Sequence, residues 1–183
     1  MKKKKIIFWG FLLCSVILLS CKKEEEPTNV EKLTSYTWQI ASAKVDPPVV
    51  FPGQLTPIAS IFDIMEPCYK DDTHKFIEPG SISTDVGANK CNSAEANYNG
   101  AWILQNNETS LYWANFGNTG MPVTFYINEL SGYVLTLKVV ITNTNELGVI
   151  LKAYGLEYLI PNSKANNPLP NGNSTFTLTL RAL

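Results

Sequence analysis

From Cys68 onward the chain repeats one unit, a stretch of β-branched and aromatic residues followed by a tight turn. DTHKFIE and SISTDV flank Pro79-Gly80, and YNGAWIL and SLYWANF flank Asn106-Asn107-Glu108-Thr109. PVTFYINEL and YVLTLKVVITN meet at Ser131-Gly132, and GVILKAYGLEYLI follows Asn143-Thr144-Asn145-Glu146 as a further strand. The chain closes on STFTLTLRAL, in which Phe176, Leu178 and Leu180 alternate with Thr175, Thr177 and Thr179. Such runs have the period of half-buried strands, and their connections are those of hairpins. Without helical crossovers the strands can only run antiparallel, in a meander. A meander of about eight or nine strands removes its unpaired edges by curling into a barrel, and eight strands leave an interior for side chains or one small ligand.

The earlier part of the domain is less regular. LTSYTWQIASAKV reads as a first strand, with Trp38, Ile40 and Ser42 on one face and Gln39, Ala41 and Ala43 on the other. Asp46 to Gln54, with three prolines and a glycine, reads as loop. Leu55, Ile58, Ala59, Phe62 and Met65 then recur at helical spacing, with Thr56 as N-cap and Pro57 at the first helical position. Pro67 ends this one short helix by Glu66, because the residue before a proline avoids helical geometry. Gly87 to Asn97 and the run PNSKANNPLPNGNS (161–174) are polar loops. The predicted fold is mainly β: an antiparallel up-and-down barrel of about eight strands, with one short helix between the first and second.

At the amino terminus, MKKKK precedes an apolar run of about 15 residues, IIFWGFLLCSVILLS. The run is too short for a confident membrane span and has the flanks of a secretion signal. It ends in Leu18-Leu19-Ser20-Cys21, which resembles the lipobox of bacterial lipoproteins. The resemblance implies cleavage after Ser20 and acylation of Cys21, so that membrane lipid becomes a partner through two or three chains, enough for stable anchoring. An uncleaved signal anchor is the alternative. Residues 1–20 are then a signal peptide, 21–32 a disordered polar tether, and 33–183 the folded domain, long enough for one core. Lys22-Lys23-Glu24-Glu25-Glu26 resembles the acidic export signal of Bacteroidetes surface lipoproteins, which implies the outer membrane and surface exposure; a solvated charge run is the plainer alternative.

Removing the four N-terminal lysines leaves 11 basic against 16 acidic residues, a net charge of −5. A mildly acidic domain whose single arginine is Arg181 has no patch to neutralise phosphates, which excludes nucleic acid as a partner.

Cys68, Asp71-Asp72, Phe76, Gly80, Cys91, Gly100-x-Trp102 and Leu104 form a pattern that resembles the lipocalin-like domain of Bacteroidetes lipoproteins. The resemblance covers Leu33 to Leu183 and implies a small up-and-down barrel of mostly unassigned function. Trp38 stands where that family has its first-strand tryptophan, while Ser35 and Tyr36 replace a nearby glycine.

In an exported protein Cys68 and Cys91 default to a disulfide. Closing a loop of about 24 residues stabilises by roughly 3 kcal/mol. A thiol or metal site would need a third ligand, and the single histidine, His74, makes no zinc spacing with them. His74 reads as a surface strand residue and Asp71-Asp72 as a turn, without the alternating oxygens of a calcium loop. Trp38, Phe76, Trp102, Tyr112 and Phe125 are the candidate lining of a pocket for a small apolar ligand, against the alternative of a packed core. Trp113 and Phe116, near Met121, suggest an apolar lip or partner contact at a strand end. No serine or threonine has a histidine–carboxylate partner by spacing, so no catalytic residue, metal or cofactor is expected and the protein reads as no enzyme. Two functions remain: a membrane-anchored barrel binding an apolar molecule in its cavity, or a filled barrel whose loops contact envelope proteins or glycans.

Overall fold

The computed structural model of the chain describes residues 26–51, 54–160, 167–169 and 172–183. The expected signal peptide and the expected lipidation site, Cys21, lie outside them. One antiparallel sheet holds β1 (Thr37–Val49), β2 (Ile58–Ser60), β3 (Thr73–Ile77), β4 (Ser81–Asp85), β5 (Tyr98–Gln105), β6 (Ser110–Ala114), β7 (Val123–Leu130), β8 (Val134–Ile141) and β9 (Ser174–Ala182). β1 pairs with β3, each later strand pairs with the next, and β9 returns to β1 from Trp38↔Ala182 to Asp46↔Thr175. Eight strands, β1 and β3–β9, therefore close a barrel, as the turn series predicts. β2 only extends the sheet beside the far end of β1.

Closure depends on local departures from regular strand geometry. In β1 the register shifts between Ile40 and Ser42, so Trp38 and Ile40 face inward, and after the bulge it is Ala43 and Val45, not Ser42, that are buried. A one-residue insertion flips every later side chain to the other face, and strict alternation could not foresee it. β1 also runs on to Val49, through the prolines read as loop, because its far end pairs with β2 and β9. At Gly100 a Cβ would stand 2.6 Å from the Ala114 carbonyl oxygen and 2.9 Å from Ile82 Cγ2, so neighbouring strands approach too closely there for any side chain. The Gly80 carbonyl accepts from the Trp102 amide at 2.8 Å, tying the first hairpin turn to β5.

Among the described residues three α-helices complete the fold. α1 (Asn29–Ser35) begins within the segment read as tether, under a capping box in which Thr28 and Glu31 bond reciprocally. Its Leu33 is buried and accepts from Trp38 Nε1 at 2.8 Å. α2 (Ile61–Ile64) is the short helix expected between the first two barrel strands, but it is one turn long and capped by Ser60, since Ile58 pairs with Val49 in β2. α3 (Thr144–Lys152) replaces the strand predicted over 148–160, with a turn of 3₁₀ helix at Glu157–Leu159. The Asn143 side chain accepts from the amides of Asn145 and Glu146, and Leu147, Ile150 and Leu151 are buried at helical spacing. Short turns and α1 occupy one end of the barrel. The long connections carrying α2, Cys91, Phe116 and α3 gather at the other.

Candidate functional site

The barrel axis is filled by aromatic rings in edge-to-face contact. Phe76 meets Trp102 at 5.7 Å and Trp113 at 5.4 Å; Trp113 meets Phe116 at 5.2 Å; and Phe116 meets Phe125 at 5.2 Å. Trp38, Phe76, Trp102 and Phe125 are all inside, in a packed column rather than around an open space. Tyr112 is not among them. It lies between buried Leu111 and Trp113 on β6, and its register partners Ile103 and Thr124 are exposed on the outer wall. Trp113 and Phe116, read as an exterior lip, are also buried, because the loop after β6 folds inward; of the three apolar residues of that reading, Met121 alone is exposed.

Open apolar space lies at the side. The β7–β8 ladder runs from Leu130↔Leu135 only as far as Tyr126↔Lys138. Beyond it, Val123–Phe125 stay paired with β6 while Val139–Ile141 stay paired with β9. The two strands part, and α3 lies across the gap. A crevice of about 250 Å³ results, lined by Val123, Val139, Ile141, Val149 and Ile150, with Asn145 and Glu146 among its polar residues. Glu146 already accepts from the Thr142 amide at 2.7 Å and hydroxyl at 2.9 Å, so the one carboxylate beside the crevice is partly committed to the helix start. The sequence signal for this floor was the pairing of Asn143 with Glu146, the start of a capped helix rather than a hairpin turn.

A second recess lies inside the barrel under the long connections. It is a niche of about 10 Å³, bordered by Asp72, His74, Tyr98, Trp113, Phe116 and Tyr154. His74 is buried, not a surface residue: β3 turns it inward, its Nδ1 lies 3.0 Å from Thr84 Oγ1, and its ring meets Trp113 at 5.1 Å. Burial pushes its pKa down to about 4, so it is neutral at neutral pH. Asp72 is 5% exposed and Tyr154 3%. Burial, reinforced by Glu95, Asp71 and Asp85, pushes the Asp72 pKa up to about 7. Burial likewise raises Tyr154 and Tyr98 above the usual tyrosine range. Over this end, Cys68 and Cys91 are joined in the expected disulfide, their Cα atoms 5.1 Å apart. Asp71 accepts from the amides of Ala88 and Asn89, holding the same two connections together.

Among the described residues no group of three or more His, Cys, Asp or Glu side chains is arranged to hold a metal ion, and no helix is long and apolar enough to cross a membrane. No protein family and no curated protein matches the chain. The class is therefore defined by the fold alone: a closed eight-stranded antiparallel barrel with a filled axis, a lateral apolar crevice and a buried polar niche.

Proposed function

We propose that this is a lipid-anchored envelope protein of lipocalin-like build, whose barrel holds a small, mainly apolar molecule in the seam between β7 and β8. The observation that carries the binding reading is the parted ladder. A barrel is stabilised by strand pairing along the full length of each seam, and here the β7–β8 pairing stops short beside an apolar crevice of about 250 Å³. Ligand pockets run from about 300 to 1,000 Å³, whereas an apolar cavity of about 150 Å³ takes benzene. The crevice suits a branched or cyclic hydrocarbon somewhat larger than benzene, or a short acyl segment. The lipid anchor rests on the basic start, the apolar run and Cys21. The second reading, a filled barrel acting through its loops, is favoured by the aromatic column on the axis. It loses its proposed contact patch, since Trp113 and Phe116 point inward.

Mass spectrometry of the full-length chain, expressed in a bacterial host and extracted from its membranes, tests both parts. Under denaturing conditions the expected mass starts at Cys21 and carries two or three acyl chains; an unprocessed amino terminus would remove the anchor. Under native conditions we expect a small adduct that is lost on denaturation and absent from Val149→Trp, in which the indole fills the crevice. A bare protein that also fails to take up short fatty acids would leave the loop-contact reading.

A further inference from the structure

We propose that the niche under the long connections is a binding site for a primary ammonium head group, with the Asp72 carboxylate as its counter-charge and Tyr154 as a second hydrogen-bond acceptor. The first ground is an imbalance of hydrogen bonds. Asp72 Oδ1 and the Tyr154 hydroxyl are buried, border the same niche and have no hydrogen-bond partner among the described residues. Buried polar atoms in folded proteins are almost always partnered, so two orphans on one small space mark the place of a third group that donates to both.

The second ground is charge. Every charged group acting on Asp72 is negative: Glu95, Asp71 and Asp85. The groups facing it from the other elements are the tyrosines Tyr69, Tyr98 and Tyr154, and neutral His74. The lysines nearest in sequence are engaged elsewhere, Lys70 over the Phe62 ring at 4.9 Å and Lys75 on the Tyr36 carbonyl at 3.2 Å, and Lys90 donates to the Glu95 carbonyl at 3.0 Å. A water would complete the hydrogen bonds but leave this repulsion untouched, whereas a cation relieves both.

The third ground is the wall. Tyr69, Tyr98, Trp113, Phe116 and Tyr154 present aromatic rings, which attract ammonium groups, and no set of oxygen ligands is arranged for a metal among the described residues. A niche of about 10 Å³ fits one group the size of water, such as a single –NH₃⁺. Tyr69 and Tyr98 are only half-buried, so the body of the amine would leave past them towards solvent. This site is separate from the β7–β8 crevice and stands without it.

The test is an NMR titration of the full-length protein with methylammonium, followed at Trp113, Tyr98 and Tyr154, with methanol as the neutral control of similar size and sodium and calcium as cation controls. We expect saturable shifts with methylammonium alone, about tenfold weaker at pH 6 than at pH 8 because the carboxylate must be ionised. Asp72→Asn should abolish binding and Tyr154→Phe should weaken it several-fold while leaving the barrel spectrum intact. Should Asp72→Asn not fold, Tyr154→Phe and the pH series decide. Equal response to methanol or sodium, undiminished binding in either variant, or no saturation together with a lone water at the niche in a high-resolution crystal structure would overturn the proposal.

Discussion

Asp72 and His74 sit two residues apart on the same end of the barrel, yet their burial acts on stability with opposite sign. Asp72 has its pKa raised from 3.8 to about 7, so between those values the folded chain holds a proton that the unfolded chain releases. Stability from this group is present at low pH and is lost as pH rises through 7. His74 has its pKa lowered from 6.5 to about 4, so the unfolded chain binds the extra proton, and stability is lost as pH falls from 6.5 towards 4. The two windows overlap and largely offset each other. We expect a shallow dependence of the urea midpoint on pH for the unchanged chain. Asp72→Asn should leave a loss on acidification, and His74→Gln a loss on alkalisation. Parallel curves for all three proteins would show that neither group is buried as described. Neither residue announced this in the sequence. A lone histidine alternating with Phe76 is as consistent with the outer face as with the inner, and only the Trp113 and Thr84 contacts made by neighbouring strands decide it.

At the scale of elements, β5 shows how a short motif carries a packing requirement. Gly100 and Trp102 are spaced by two, so both face the same side. Trp102 fills the interior and donates from Nε1 to the Ile77 carbonyl at 3.2 Å, while Gly100 admits the Ala114 carbonyl and Ile82. Gly100→Ala should force β4, β5 and β6 apart and destabilise by about 1–3 kcal/mol, read as a lower urea midpoint with an unchanged slope. An equal midpoint would mean the strands can separate freely. The hairpins were legible because turn residues and β-branched runs are local signals; β3 to β8 fall close to the runs that announced them. α3 was not legible as a helix from its valine and isoleucine content. Its apolar residues at 147, 150 and 151 serve a helix packed on the barrel as well as they would a strand. The Asn143 cap was the local signal that separates the two.

For the whole molecule, the Cys68–Cys91 bridge closes the connections over the niche, while the barrel itself is closed by β1 and β9. Reduction should therefore lower stability by about 3 kcal/mol through the freed loop of the unfolded chain, without opening the barrel. The expected record is a lower urea midpoint in dithiothreitol with an unchanged far-ultraviolet spectrum below the transition; collapse of that spectrum would place the bridge in the barrel's own framework. The sequence by itself determined what depends on neighbours along the chain: the antiparallel hairpins β3–β4, β5–β6 and β7–β8 and the inward alternation of β9, and it paired Cys68 with Cys91. Tertiary structure decided what depends on residues far apart. The bulge in β1 reverses which side chains face inward, Phe116 and Tyr154 fill the axis from separate connections, and the β7–β8 seam opens where each strand keeps its other partner. The reason is geometric. Alternation fixes two faces of a strand, but which face is inside, and where the ring of strands gapes, is set only when β9 meets β1.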